Sequence, residues 1–181
     1  MIPNRWSRVW SLVVLAMLCA VSPMWGQEDA ALEADSADVG SVDAIIETVY
    51  EVISGPAGAE RDWDRMRSLF LADARLIPSW RTEEGEIGHR YMTLEEWIDG
   101  ARAYFSENPF FEVELHRVVE RYGHIAHAFS TYESRTEAEG EPFTRGINSF
   151  QLIHDGGRWW IVNIFWQGES EAEPIPSRYL P

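Results

Sequence analysis

Residues 143–167 read FTRGINSFQLIH, then DGGR, then WWIVNIFWQ. Two runs rich in β-branched and aromatic residues flank a Gly156-Gly157 turn, and this predicts a β-hairpin. Pairing Asp155 with Arg158 aligns Leu152 with Ile161, Phe150 with Asn163 and Asn148 with Phe165. One face is then apolar except for Asn148 and Asn163, with Phe150, Phe165, Leu152 and Ile161 as a dry wall. The other face carries Ile147, Ile153, Val162, Ile164 and Trp166. A sheet apolar on both sides needs a cover on both sides. Helices are expected over one face and a second copy of the chain over the other.

Upstream lies a second strand pair, Phe111–Arg121 and His124–Arg135, turning at Tyr122-Gly123. In this register Arg117 pairs with Ala128, Leu115 with Ser130 and Val113 with Tyr132. That face, which also holds Val119 and Ala126, is assigned to the interior. His116, Val118, His127 and Phe129 go outside. Neither face is cleanly apolar, so the reverse assignment stays open. Arg117 on an apolar strand face needs a carboxylate, a carbonyl cluster or an anionic ligand, because an unpaired buried guanidinium is costly. On this reading the inward faces carry Arg, Tyr, Ser and Asn but no carboxylate. Asp73, at the start of an earlier strand, is assigned to capping.

Helical spacing precedes the strands. Val42, Ile45, Ile46, Val49, Tyr50 and Ile53 repeat on one helix face behind Ser41 as N-cap. Gly55-Pro56 ends that helix. A short helix spans about 63–70. Ala74–Trp80 reads as a strand, with Gly85–Tyr91 as a pairing candidate. A third helix begins at Thr93, where Thr93 and Glu96 make a capping box. Helices first and a meandering sheet after is an α+β order.

This order resembles the nuclear transport factor two-like, or SnoaL-like, superfamily over about Val42 to Gln167. The carriers are the first helix, the run Leu69-Phe70-Leu71-Ala72-Asp73-Ala74-Arg75, the strand Tyr122-Gly123-His124-Ile125-Ala126 and the closing Asp155-Gly156-Gly157-Arg158-Trp159-Trp160-Ile161-Val162. The resemblance implies a cone-shaped, curved antiparallel sheet with three N-terminal helices on its concave face. It also implies a pocket inside the cone and dimers through the outer sheet face. Its members include isomerases, dehydratases, hydrolases and non-catalytic binding or association domains, so the fold does not give the reaction. Tyr132 could donate to a ligand oxygen, as tyrosines do in the superfamily's isomerases. Arg117, Tyr132, Asn148 and Asn163 are the expected ligand-binding residues, and no catalytic set is assigned.

Composition narrows the rest. The chain has 181 residues, and its 45% hydrophobic content suffices for one domain with a core. Formal net charge is -15, which argues against nucleic acid and anionic membrane surfaces. All 15 basic residues are Arg, and without Lys neither Schiff-base chemistry nor covalent pyridoxal phosphate attachment is open. No HxH or HExxH spacing occurs, so neither a metal nor a cofactor is expected. Arg5 and Arg8 precede the apolar run Val9–Val21, and acidic residues begin at Glu28. This reads as an export signal over 1–27, which places the mature protein in the periplasm or outside the cell. The single Cys19 would leave with it, so no disulfide or thiol chemistry is expected. A flexible acidic leader (28–40), the domain (41–168) and an irregular tail (169–181) follow. The expectation is an exported, homodimeric domain binding an unidentified small molecule. The alternatives are an isomerase, dehydratase or hydrolase using the same pocket residues, or a dimeric association module.

Overall fold

Ser41 caps the first long helix as its sequence predicts, its hydroxyl accepting from the Ala44 amide at 3.0 Å. In the computed structural model, which describes residues 33–82 and 84–181, this helix is α2 (Val42–Ile53), preceded by the single turn α1 (Ser36–Val39). α3 covers Trp63–Ser68 and α4 Leu94–Glu107. The strands are β1 (Phe70–Arg81), β2 (Ile87–His89), β3 (Met92–Thr93), β4 (Phe111–Tyr122), β5 (Ile125–Arg135), β6 (Pro142–His154) and β7 (Trp159–Gly168). They form one curved sheet in the order β2-β1-β7-β6-β5-β4, with β3 also pairing β1. The α+β architecture with N-terminal helices on the sheet holds. The sheet is mixed rather than wholly antiparallel, because β1 runs parallel to β7. The chain returns to the first strand's side only after the long excursion through β2–β6. The predicted export signal lies outside the described residues.

The core fills the space between helices and sheet. Ile45, Ile46, Val49 and Ile53 of α2 pack with Met66, Leu69, Leu76, Ile98, Phe150 and Ile161, all buried. Burying an aliphatic side chain of this kind contributes roughly 1.5–3 kcal/mol. Arg61 closes the end of α2. Its Nε donates to the Ile53 carbonyl at 3.1 Å, and its NH1 donates to the Ala59 carbonyl at 2.8 Å. Gly55 lies against that guanidinium, so a Cβ there would sit 2.9 Å from it.

The expected flexible leader ends earlier than its composition suggests. Asp38 and Val39 are buried, and Arg65 donates to both Asp38 oxygens at 2.8 and 2.9 Å. The tail also has a fixed course. Ile175 is buried, the Thr131 hydroxyl donates to the Tyr179 carbonyl at 2.6 Å, and the Phe129 and Tyr179 rings lie 5.2 Å apart. The tail thereby covers part of the sheet's outer face.

Both predicted hairpins exist, and each carries a bulge that shifts its register. In β6–β7 the pairs His154–Trp159 and Leu152–Ile161 match expectation, but beyond them Gln151 faces Asn163, Phe150 faces Ile164 and Asn148 faces Trp166. Val162 is the extra residue. Ile164 is therefore buried in the core, and Phe165, expected in the wall, is 46% exposed on the outside. In β4–β5 the turn is Gly123-His124, so Arg117 faces Ser130 and Val119 faces Ala128. Leu115 is the extra residue here, and beyond it Glu114 faces Tyr132 and Glu112 faces Ser134. A bulge adds one residue to one strand only, so every side chain past it changes face.

Candidate functional site

The β4 bulge puts two carboxylates where none was expected. Tyr132 and Ser134 are buried on the inward face of β5, and Glu114 and Glu112 stand opposite them. The carboxylates belong to two connected arrangements, one of charges and one around a cavity.

The charged arrangement absorbs Arg117. Its Nε donates to Glu114 Oε1 at 2.8 Å and its NH1 to Asp43 Oδ1 at 2.6 Å. The Arg117 and Glu114 side chains are 10% and 19% exposed, while Asp43, on the first turn of α2, is 75% exposed. Burial alone would lower the Arg117 pKa; hydrogen bonding to Glu114 and the charges of Glu114 and Asp43 outweigh it and raise it. Arg117 balances internal and helix-borne acids and is not part of the cavity wall.

A directed hydrogen-bond chain leads from Glu114 inward. Ser130 donates its hydroxyl to Glu114. The Tyr50 hydroxyl lies 2.6 Å from Ser130 Oγ, and since the Ser130 proton is committed, Tyr50 donates to Ser130. Asn148 Nδ2 then donates to Tyr50 at 3.0 Å and to Glu112 Oε1 at 3.3 Å. Ser134 donates to Glu112 Oε2 at 2.8 Å. Burial, and after it the charge of Glu112, pushes the Tyr50 pKa well above its ordinary value. Tyr50 therefore stays a neutral donor.

Glu112, Asn148 and Tyr132 line a cavity of about 150 Å³ between α2, α4 and the sheet. The rest of its wall is apolar and includes Trp97, Phe105, Phe110, Phe150 and Trp166. Counted over the whole residue Glu112 is only half-buried, yet its carboxyl end is enclosed. Burial pushes its pKa up to about 7, against the lowering effect of the Ser134 and Asn148 hydrogen bonds. Its oxygens meet only neutral donors in these bonds. Tyr132 is likewise raised, first by burial and then by Glu112. Its hydroxyl lies so close to Gly146 that a Cβ there would sit 2.5 Å from it. Among the described residues, no group of three or more His, Cys, Asp or Glu is placed to hold a metal ion.

Of the four residues singled out from sequence, Tyr132 and Asn148 meet at this cavity. Arg117 is turned to the ion-pair cluster. Asn163 pairs with Gln151, away from the cavity, because of the Val162 bulge. Glu112, Ser134 and Tyr50 were missed. Tyr50 was read as one more apolar helix position, and nothing in the spacing of Phe111–Arg121 marks the bulge that turns Glu112 inward. A second hollow of about 290 Å³ lies on the outer face between tail and sheet. Its polar side chains are paired, Ser149 with His127, Gln167 with Glu173 and Glu169 with Arg145. Glu112's cavity differs in holding a carboxyl with no ion-pair partner.

No protein-family model matches the chain, and no curated protein matches it. Solved structures do. A protein of unknown function with the nuclear transport factor two-like fold from Pseudomonas putida matches at TM-score 0.55 and 11% identity, over 78% of this chain and 95% of that one. A protein of unknown function with a cystatin-like fold from Nostoc punctiforme matches at TM-score 0.52 and 12% identity, over 72% and 90%. A nuclear transport factor two-like protein from Cytophaga hutchinsonii matches at TM-score 0.51 and 14% identity, over 70% and 97%. At such identities the likeness concerns architecture alone: the chain has the nuclear transport factor two-like, or cystatin-like, fold.

Proposed function

We propose that this domain binds a small, mostly apolar molecule in the cavity between α2, α4 and the sheet. The polar end of that molecule is held by Glu112, Asn148 and Tyr132. The observation that carries this reading is a carboxyl group facing a cavity whose wall, Asn148 and Tyr132 apart, is apolar. A purely structural core would replace such a group with a hydrocarbon side chain, since an isolated carboxylate there is expensive. Hydrogen bonds made inside such a dry wall are stronger than in water. The test is a small-compound screen by native mass spectrometry and thermal shift. Compounds that bind the wild type and raise its melting temperature support the reading when the cavity-filled Val49→Phe variant ignores them. A screen in which Val49→Phe retains every hit contradicts it.

A second reading follows from the same carboxyl. A group that ionises near neutrality is poised to accept a proton, and Tyr132 could donate to a developing oxyanion. Solvent deuterium entering the α-carbon of a small ketone, and failing to do so with Glu112→Gln, supports an isomerase-like proton transfer. Exchange that is unchanged in the variant rules it out.

Export and dimerisation complete the proposal. The Arg5/Arg8 flank and the short apolar run support removal of about the first 27 residues, which mass spectrometry of protein secreted from a bacterial host tests. The exposure of Phe165 and Val118 on the outer face supports a homodimer that uses this face.

A further inference from the structure

Glu112 is the only ionisable carboxyl at the cavity wall, and the wall contains no arginine or histidine. The groups nearest to it in the network offer no positive charge either. α2 contributes the hydroxyl of Tyr50, β5 the hydroxyls of Tyr132, Ser130 and Ser134, β6 the amide of Asn148. Arg117 is the network's one cation, and it is committed to Glu114 and Asp43. Among the described residues Glu112 takes part in no ion pair. Both of its oxygens already accept one hydrogen bond each from protein. A carboxylate has about four lone-pair sites, which leaves acceptor capacity for a donor entering from the cavity.

We infer that the cavity's ligand is a small organic amine, bound as its ammonium ion against Glu112 with its hydrocarbon part among Trp97, Phe105, Phe110, Phe150 and Trp166. The inference rests on the reading that this cavity binds a small molecule, and it names the chemical class. Two independent features select a cation. The carboxylate has no counter-ion of its own, so an ammonium supplies the missing charge through a charge-assisted hydrogen bond. The chain's net charge of -15 concentrates cations around it and repels anions. A volume of about 150 Å³ limits the ligand to roughly one ring and a short arm.

A matched set of probes tests the charge without changing the shape. Benzylamine, benzyl alcohol and benzoate are titrated by calorimetry into the chain lacking its first 27 residues at pH 8. The expected result is benzylamine binding about tenfold more tightly than benzyl alcohol, with no binding of benzoate. Glu112→Gln should abolish that preference, so that benzylamine binds no more tightly than the alcohol. Wild-type protein supplies a readout that survives a variant failing to fold. Benzylamine stays protonated between pH 5.5 and pH 8, so its affinity should fall about tenfold at pH 5.5 as Glu112 takes up a proton, while the alcohol's is unchanged. Val49→Phe should remove binding of both, locating them in the cavity. Benzyl alcohol binding as tightly as benzylamine overturns the amine assignment and leaves the cavity reading intact. Binding of neither probe also overturns the amine assignment, and the compound screen then decides the cavity reading separately.

Discussion

At the scale of single residues, Glu112 is a stability cost kept at one place in the core. In the unfolded chain its carboxyl ionises near the ordinary 4.5, and in the folded protein near 7. Between those values the folded state holds the extra proton. Stability from this group is therefore greatest below 4.5, declines as pH rises, and the full cost is present above 7. A shift of this size corresponds to on the order of 3 kcal/mol. Glu112→Gln should thus stabilise the protein by about 2 kcal/mol at pH 8, after allowing for a weakened bond to Asn148. Most of that gain should vanish by pH 5, as urea denaturation at the two pH values would show. A variant no more stable than wild type at pH 8 would mean that the carboxyl is well solvated. Arg117 behaves oppositely. Arg117→Met leaves Glu114 enclosed and unpaired and should cost about 3 kcal/mol. Ligand affinity should be unchanged, because Arg117 lies outside the cavity; a large affinity loss without destabilisation would place it back in the site.

At the scale of elements, two bulges decide which side chains the site receives. The turn chemistry was legible. Asp155 accepts from the amides of Gly157 and Arg158 at 2.8 and 2.9 Å, which locks the Gly-Gly turn the sequence announces. The Thr93/Glu96 capping box was equally plain and is present at the start of α4. Strand faces could be read only as far as the first irregularity. Period-two alternation carries no signal for an inserted residue, so Leu115 hid Glu112 and Glu114, and Val162 exchanged Asn163 for Ile164. Arg117, as an anomaly needing an acid, was a sound clue; the helix acid Asp43 answers it together with a carboxylate on its own strand. Gly146 is the element-level clue that went unused. It lets the Tyr132 hydroxyl approach β6, and Gly146→Ala should displace that ring and destabilise by about 1–3 kcal/mol. A crystal structure of the variant with Tyr132 unmoved, together with unchanged stability, would contradict this.

At the scale of the whole molecule, the α+β order was readable from periodicity and turn residues and the curved sheet was implied by the family resemblance, while the course of the two termini was not. Acidic, alanine-rich composition made the segment before α2 look free, yet Asp38 is tied to Arg65. Proline spacing marked the tail as irregular but did not show that it closes over β5 through Tyr179. That closure narrows the outer surface offered to a second copy, and the side chains first assigned to it, Ile164 and Trp166, face inward. The surface now rests on Phe165, 46% exposed. Light scattering at micromolar concentration should give a dimer for the wild type and a monomer for Phe165→Arg. A wild-type monomer would remove the outer face as an interface. The cavity beside Glu112 is proposed to hold a small molecule. A crystal structure with the tightest-binding compound from the screen tests it most directly. The compound should lie between α2, α4 and the sheet, with its polar atom within hydrogen-bond distance of the Glu112 carboxyl. A compound bound elsewhere, with Trp97, Phe105 and Trp166 collapsed into the cavity, would contradict the claim.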